Sequence, residues 1–244
     1  MRAAQIMMEN ETNLIFAALF FILSHIGLAS EPMRGVLVKI LGRNFYLILF
    51  SIVSALAMIW LIVAFVTAPP VEIWSPPAEL RLIPLAVMPF ACIFFVGGIS
   101  TSSATVLSDG ALTKGTIKTP GILHITRHPV MWAFALWGLS HMAANGNQTD
   151  LILFGMIAFL AFAGMMRLDT KHRKTQGAAF EEFAAKTSLI PFAAILSGRN
   201  KLAWREINKL EIAGGLALYA ALLLGHEWVI GVTPLPHQWA IGIT

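Results

Sequence analysis

Hydrophobic positions in this chain do not alternate and do not stripe; they come in blocks. Six blocks, at Leu14–Ala29, Phe45–Val66, Leu82–Ile99, Pro129–Ala144, Leu151–Met166 and Ile212–Ile230, approach the length of apolar helix needed to cross ~30 Å of hydrocarbon at 1.5 Å per residue. The first, fourth and fifth are short, and flanking polar side chains can snorkel to extend them. The polar stretches between them are brief except for the last, 167–211. There Phe180, Phe183 and Ala184 recur at helical spacing among charges, which predicts an interfacial amphipathic helix ended by Pro191. Pro84, Pro89, Gly97 and Gly98 in the third block predict a kink or a close approach to a neighbouring helix. The prediction is an all-α, polytopic transmembrane bundle of about six helices, a single domain over 1–244, with an amphipathic helix in its last cytoplasmic connection.

Composition agrees with the blocks. The chain is 57% hydrophobic and 12% charged, with mean hydropathy +0.73; a soluble domain carries roughly twice that charge. The formal net charge of +4 would suggest nucleic acid in a soluble chain. Here its distribution explains it, and no nucleic-acid partner is expected. Basic residues exceed acidic ones in 31–44, 101–128 and 167–211, while 67–81, 146–150 and both ends are neutral to acidic. That alternation places three basic connections in the cytoplasm and both termini outside. The one cysteine, Cys92, excludes an intrachain disulfide, a CxxC metal site and covalent haem attachment. Glu9 and Glu11 precede the first block, so it lacks the basic start of a signal peptide and is expected to be a retained helix.

Histidines supply the candidate chemistry. His25 lies in the first block and His141 in the fourth, with Trp137 and Phe134 on the same helical stripe as His141. A neutral histidine in a bilayer can satisfy itself on a backbone carbonyl. Two or more in bundle-facing positions also suit metal ligation, and the apolar blocks offer no thiolate–carboxylate set for zinc. Haem needs one or two axial side chains and an apolar slot. Helix direction sets His25 and His141 at depths ~10 Å apart, and His226 matches the depth of His141 better, so His226 stands as a substitute ligand. Arg127-His128-Pro129 begins the fourth helix at the cytoplasmic surface. It reads either as a helix start with a headgroup anchor or as an anion or cofactor site. His128 and His141 are thirteen residues apart, about 20 Å along one helix, and cannot share a metal. His124 and His172 are expected to be solvated, and His237 interfacial.

The stretches HITRHPVMWAFALWGLSHMAANGN, LILFG, MMRLDTKHR and TSLIPFAAILSGR, together with SHIGLAS, resemble the NnrU family of bacterial membrane proteins, which has relatives in the 15-cis-ζ-carotene isomerases of plants and cyanobacteria. The resemblance implies a multi-pass protein of the bacterial inner membrane with non-covalent haem b, its axial ligands falling on His25 and His141. It implies haem-dependent cis–trans isomerisation of a hydrophobic polyene or, through the NnrU branch, a non-enzymatic haem accessory or sensor role linked to nitric oxide and nitrite in denitrification. The chain departs from the plant branch at Gly138, where a cysteine stands in that branch. A weaker similarity, in Arg127-His128-Pro129 and in Gly177, Phe180, Phe183 and Pro191, is to isoprenylcysteine-type methyltransferases. It implies S-adenosylmethionine as an alternative cofactor. Met131 stands where that motif has tyrosine.

Overall fold

The structure, a computed structural model, describes residues 2–100, 121–202 and 204–235. The 101–120 connection and His237 lie outside the described residues. Nine α-helices are described: α1 (Arg2–Leu28), α2 (Glu31–Leu41), α3 (Arg43–Thr67), α4 (Leu82–Ser100), α5 (Pro129–Ala144), α6 (Gln148–Gln176), α7 (Ala178–Lys186), α8 (Ala193–Leu196) and α9 (Lys209–Ile230). Among the described residues there is no strand, only an isolated bridge between Glu72 and Asn147. The fold is an all-α membrane bundle. Met8–Leu28, Arg43–Thr67, Ala78–Ser100, Gln148–Gln176 and Lys209–Ile230 are long and apolar enough to cross a membrane. The expected fourth crossing forms with the predicted bounds but is 16 residues, about 24 Å, and falls short of the bilayer core by itself.

The chain packs as two compact units, one of residues 1–75 with 145–156 and the other of 76–144 with 157–244. In the first, α1 packs on α3 through Leu14, Ala17, Ala57, Leu61 and Ala64, all buried. The opposite side of α3 presents Ile48, Ile52, Ile59, Val63 and Val66, the surface expected of a helix against lipid. Ser30 caps α2 at the Met33 amide, and Gly42, at φ 77°, makes the corner into α3. The Trp60 indole donates to Asn13 Oδ1 at 3.0 Å, tying α3 to α1.

In the second unit α4 lies between α5 and α9. The small residues predicted at its end act as close-approach points. A Cβ on Gly98 would stand 2.5 Å from Val130 Cγ2, and one on Gly215 of α9 2.6 Å from Ile93 Cα. Pro89 is accommodated inside α4 without breaking it. Tyr219 donates to the Leu85 carbonyl, and Ser100 to buried Glu211, so α4 and α9 are also joined by polar contacts.

The predicted amphipathic helix is α7, but its apolar face is not turned to lipid. Phe180 and Phe183 are buried in a core with Phe94, Ile122, Leu123, Ile125, Ala133 and Ile207. Spacing identified the helix; the protein itself covers the face. α6 likewise continues beyond the predicted Met166 to Gln176, carrying Asp169, His172 and Gln176 on one buried face at i, i+3 and i+7.

Candidate functional site

The segment before α5 is held by a chain it could not be seen to meet in sequence. Thr126 Oγ1 donates to the Ser188 and Leu189 carbonyls, the Arg127 amide to Ser188, the Phe192 amide to Ile125, and the Trp132 indole to Leu189 at 2.7 Å. Phe192 adopts φ 65°, an uncommon conformation for a bulky side chain, where the chain turns into α8. This lacing sets Arg127 and His128 facing the end of α6.

There they meet Asp169. Arg127 Nε donates to both carboxylate oxygens at 2.9 Å, and its Nη2 donates to Oδ2. The His128 Nε2–H donates to Oδ1 at 2.7 Å. Arg127 and Asp169 are buried and His128 is completely so. Burial pushes the His128 imidazole below its ordinary range and Arg127 adds to this, while the Asp169 carboxylate opposes them. Asp169 thus supplies a carboxylate to the Arg127-His128 step from within the chain. Neither a haem propionate nor a nucleotide is needed to account for the motif.

Two expectations are corrected. His172 is fully buried, accepting from Gln176 Nε2 at Nδ1 and stacking on Phe180. His124 is also buried, between Asn200 Oδ1 at 2.9 Å and Glu206 Oε2 at 3.0 Å. Neither is solvated, because the 167–211 connection folds back over the helix ends instead of extending into water.

The intramembrane histidines present a different arrangement. His25 Nδ1–H donates to the Phe21 carbonyl of its own helix at 2.9 Å, and His141 Nδ1–H donates to the Trp137 carbonyl at 2.9 Å. Each ring lies against the aromatic residue whose carbonyl it uses, and His25 also meets the edge of Phe50. Donation from Nδ1 assigns the unprotonated lone pair to Nε2, the nitrogen a metal takes. The two histidines belong to different compact units, and the same local device recurs in each. His226, the substitute, donates from Nδ1 to the Val232 carbonyl at 2.7 Å and lies within electrostatic range of His141. Among the described residues no group of three or more His, Cys, Asp or Glu side chains could hold a metal ion.

Comparison with known proteins decides the family. The NnrU protein family model matches residues 13–234. The chain belongs to the NnrU family. The match runs through both compact units and takes in His25, Arg127, His128, His141 and Asp169. Two plant proteins named 15-cis-zeta-carotene isomerase, chloroplastic, are similar to this NnrU protein. That of Zea mays is 29% identical over 199 residues, which is 80% of this chain and 53% of its own length. That of Arabidopsis thaliana is 29% identical over 236 residues, 91% of this chain and 62% of its own length. The chain thus spans less than two thirds of the relatives it matches. No solved structure matches significantly.

Asp169 is the functional-site residue that sequence reasoning missed. Its signal was a lone acid in the otherwise basic run Arg167 to Lys174, one turn beyond an apolar block. A carboxylate kept there beside so much positive charge suggests a specific basic partner.

Proposed function

We propose that this NnrU protein is a membrane isomerase that holds haem b through His25 and His141 and acts on a cis double bond of a long hydrophobic polyene. The observation that carries the reading is the recurring Nδ1–H to carbonyl bond, which puts the lone pair of each imidazole on Nε2, the nitrogen that ligates a metal. The similarity to proteins named 15-cis-zeta-carotene isomerase supports the substrate class. Haem held by these imidazoles would supply a redox-active iron. The chain's own part is to hold each imidazole in the ligating tautomer against an aromatic side chain, Phe21 and Phe50 for His25 and Trp137 for His141, and to present an apolar surface to the polyene. Isomerisation moves no atom between molecules. It requires only that the π bond weaken long enough for rotation. In this reading the membrane is a bacterial inner membrane, with the basic connections on its cytoplasmic side.

The test is the absorbance of detergent-purified protein made under haem supply. A Soret band that His25→Ala and His141→Ala each remove, followed by turnover of a 15-cis polyene, is the expected result. Folded protein without any haem absorbance would overturn the assignment.

A further inference from the structure

A cleft of about 480 Å³ opens where α5 starts, α6 ends and α7 meets the 187–199 segment. Its walls include Arg127, Arg173 and Arg199 with Glu181, Ser188 and Ile190. We propose that this cleft binds the anionic phosphate headgroup of a membrane lipid.

The three guanidiniums differ in how much charge they have left to offer. Arg127 is committed to Asp169. Arg173 pairs with Glu181 at 2.6 Å, but both side chains are about half exposed, 54% and 53%, so the pair is readily exchanged. Arg199 bonds neutral oxygens, namely the Ala184, Ala185 and Thr187 carbonyls at the end of α7 and the Ser197 hydroxyl. Among the described residues no carboxylate is paired with it. Planar guanidinium forks match phosphate oxygens bidentately, which is why arginines gather where phosphate is held.

Depth and polarity point to a headgroup. Arg167 is the first charge after the apolar part of α6, and Arg173 lies six residues, about 9 Å, beyond it. Arg127 lies two residues outside α5. A headgroup region extends roughly 5–8 Å beyond each face of the hydrocarbon, so Arg127 stands at its level and Arg173 at its outer edge, within reach of a long side chain that bends back toward the lipid. Beside the cleft, Ile190, Phe192 and Leu196 are exposed, Leu196 at 84%, which gives acyl chains an apolar edge next to the charges. Glu181 is the internal competitor, a carboxylate occupying the Arg173 fork until phosphate replaces it.

The experiment uses the full-length protein in mixed micelles, with retention of phosphatidylglycerol and phosphatidylcholine compared by native mass spectrometry. Phosphatidylglycerol should be retained about tenfold over phosphatidylcholine, the effect of one or two charge-assisted contacts. Arg173→Gln, on a half-exposed side chain whose guanidinium also lies over the Phe180 ring, should remove most of that preference, and Arg173→Gln with Arg199→Gln all of it. Glu181→Gln should increase it, a gain that damage to the fold would not produce. Equal retention of the two lipids, or an unchanged preference in Arg173→Gln protein of wild-type helicity, would overturn the proposal. Displacement of the lipid by millimolar inorganic phosphate would overturn the lipid assignment in favour of a soluble phosphate. Resistance to it supports the headgroup. Haem absorbance plays no part in any of these readings, so this site and the proposed isomerase stand or fall separately.

Discussion

The Arg127–His128–Asp169 cluster and the intramembrane histidines both place imidazole in buried surroundings, and they resolve its polarity in opposite ways. At the cluster the partner comes from 41 residues along the chain, and His128, Asp169 and Arg127 satisfy one another. On α1 and α5, His25 and His141 turn to a carbonyl four residues back on their own helix. The first arrangement closes on itself and holds helices together. The second anchors one nitrogen on the residue's own helix. Burial of histidine alone therefore does not distinguish a structural residue from a candidate ligand; the origin of its partner does.

Substitutions can break this contrast. The largest effect is expected for Asp169→Ala, which leaves a buried guanidinium without its anion. A loss of about 3–5 kcal/mol is expected, seen as a lower melting temperature and poorer recovery of folded protein in detergent. Wild-type melting in that variant would show that the cluster does not support the fold. Removing the His128 ring by alanine deletes one bond to a buried carboxylate, and should cost about 1–3 kcal/mol in the same assay. His25→Ala and His141→Ala should each cost less than Asp169→Ala, about 1–2 kcal/mol, since an own-helix bond and the aromatic contacts of the ring go but no buried charge is left unpaired, while abolishing any Soret band. A melting loss as large as that of Asp169→Ala would erase the distinction drawn here.

The smallest effect concerns pH. With the folded His128 value lowered below the ordinary ~6.5, the unfolded chain takes up the proton first as pH falls. The stability this residue contributes is thus complete above ~6.5 and is lost as pH drops from there toward the lowered value, by at most about 1.4 kcal/mol per pH unit. His128→Gln, which keeps an N–H donor for Asp169 but does not titrate, should flatten that part of the stability–pH curve. An unchanged slope would assign the titration to another group.

Apolar blocks made the membrane class and most helices legible, because ~20 apolar residues have few other uses. The extension of α6 was not legible. Arg167 to Lys174 reads as a solvated connection until Asp169 and His172 are seen to share a buried face, and their partners lie on segments remote in sequence. α7 shows a related limit. The spacing of Phe180 and Phe183 specifies an apolar face and a helix, but lipid and protein reward such a face alike, so its destination inside a protein core had to come from the structure. For the site, His25, His141, Arg127 and His128 were all recognisable as residues of interest. The pairing that separates their roles depends on Asp169, which carries no motif of its own.

The glycine contacts of α4 bear on how a polyene could arrive. A long, stiff hydrocarbon dissolved in the bilayer enters a helical protein sideways, by parting two neighbouring helices. Where α4 meets α5 at Gly98 and α9 at Gly215, side chains have been removed so far that backbone lies against side chain or backbone. Even the methyl of alanine is expected to disrupt such a seam by about 1–3 kcal/mol. Those two seams are closed doors, and an entry route has to avoid both sides of α4.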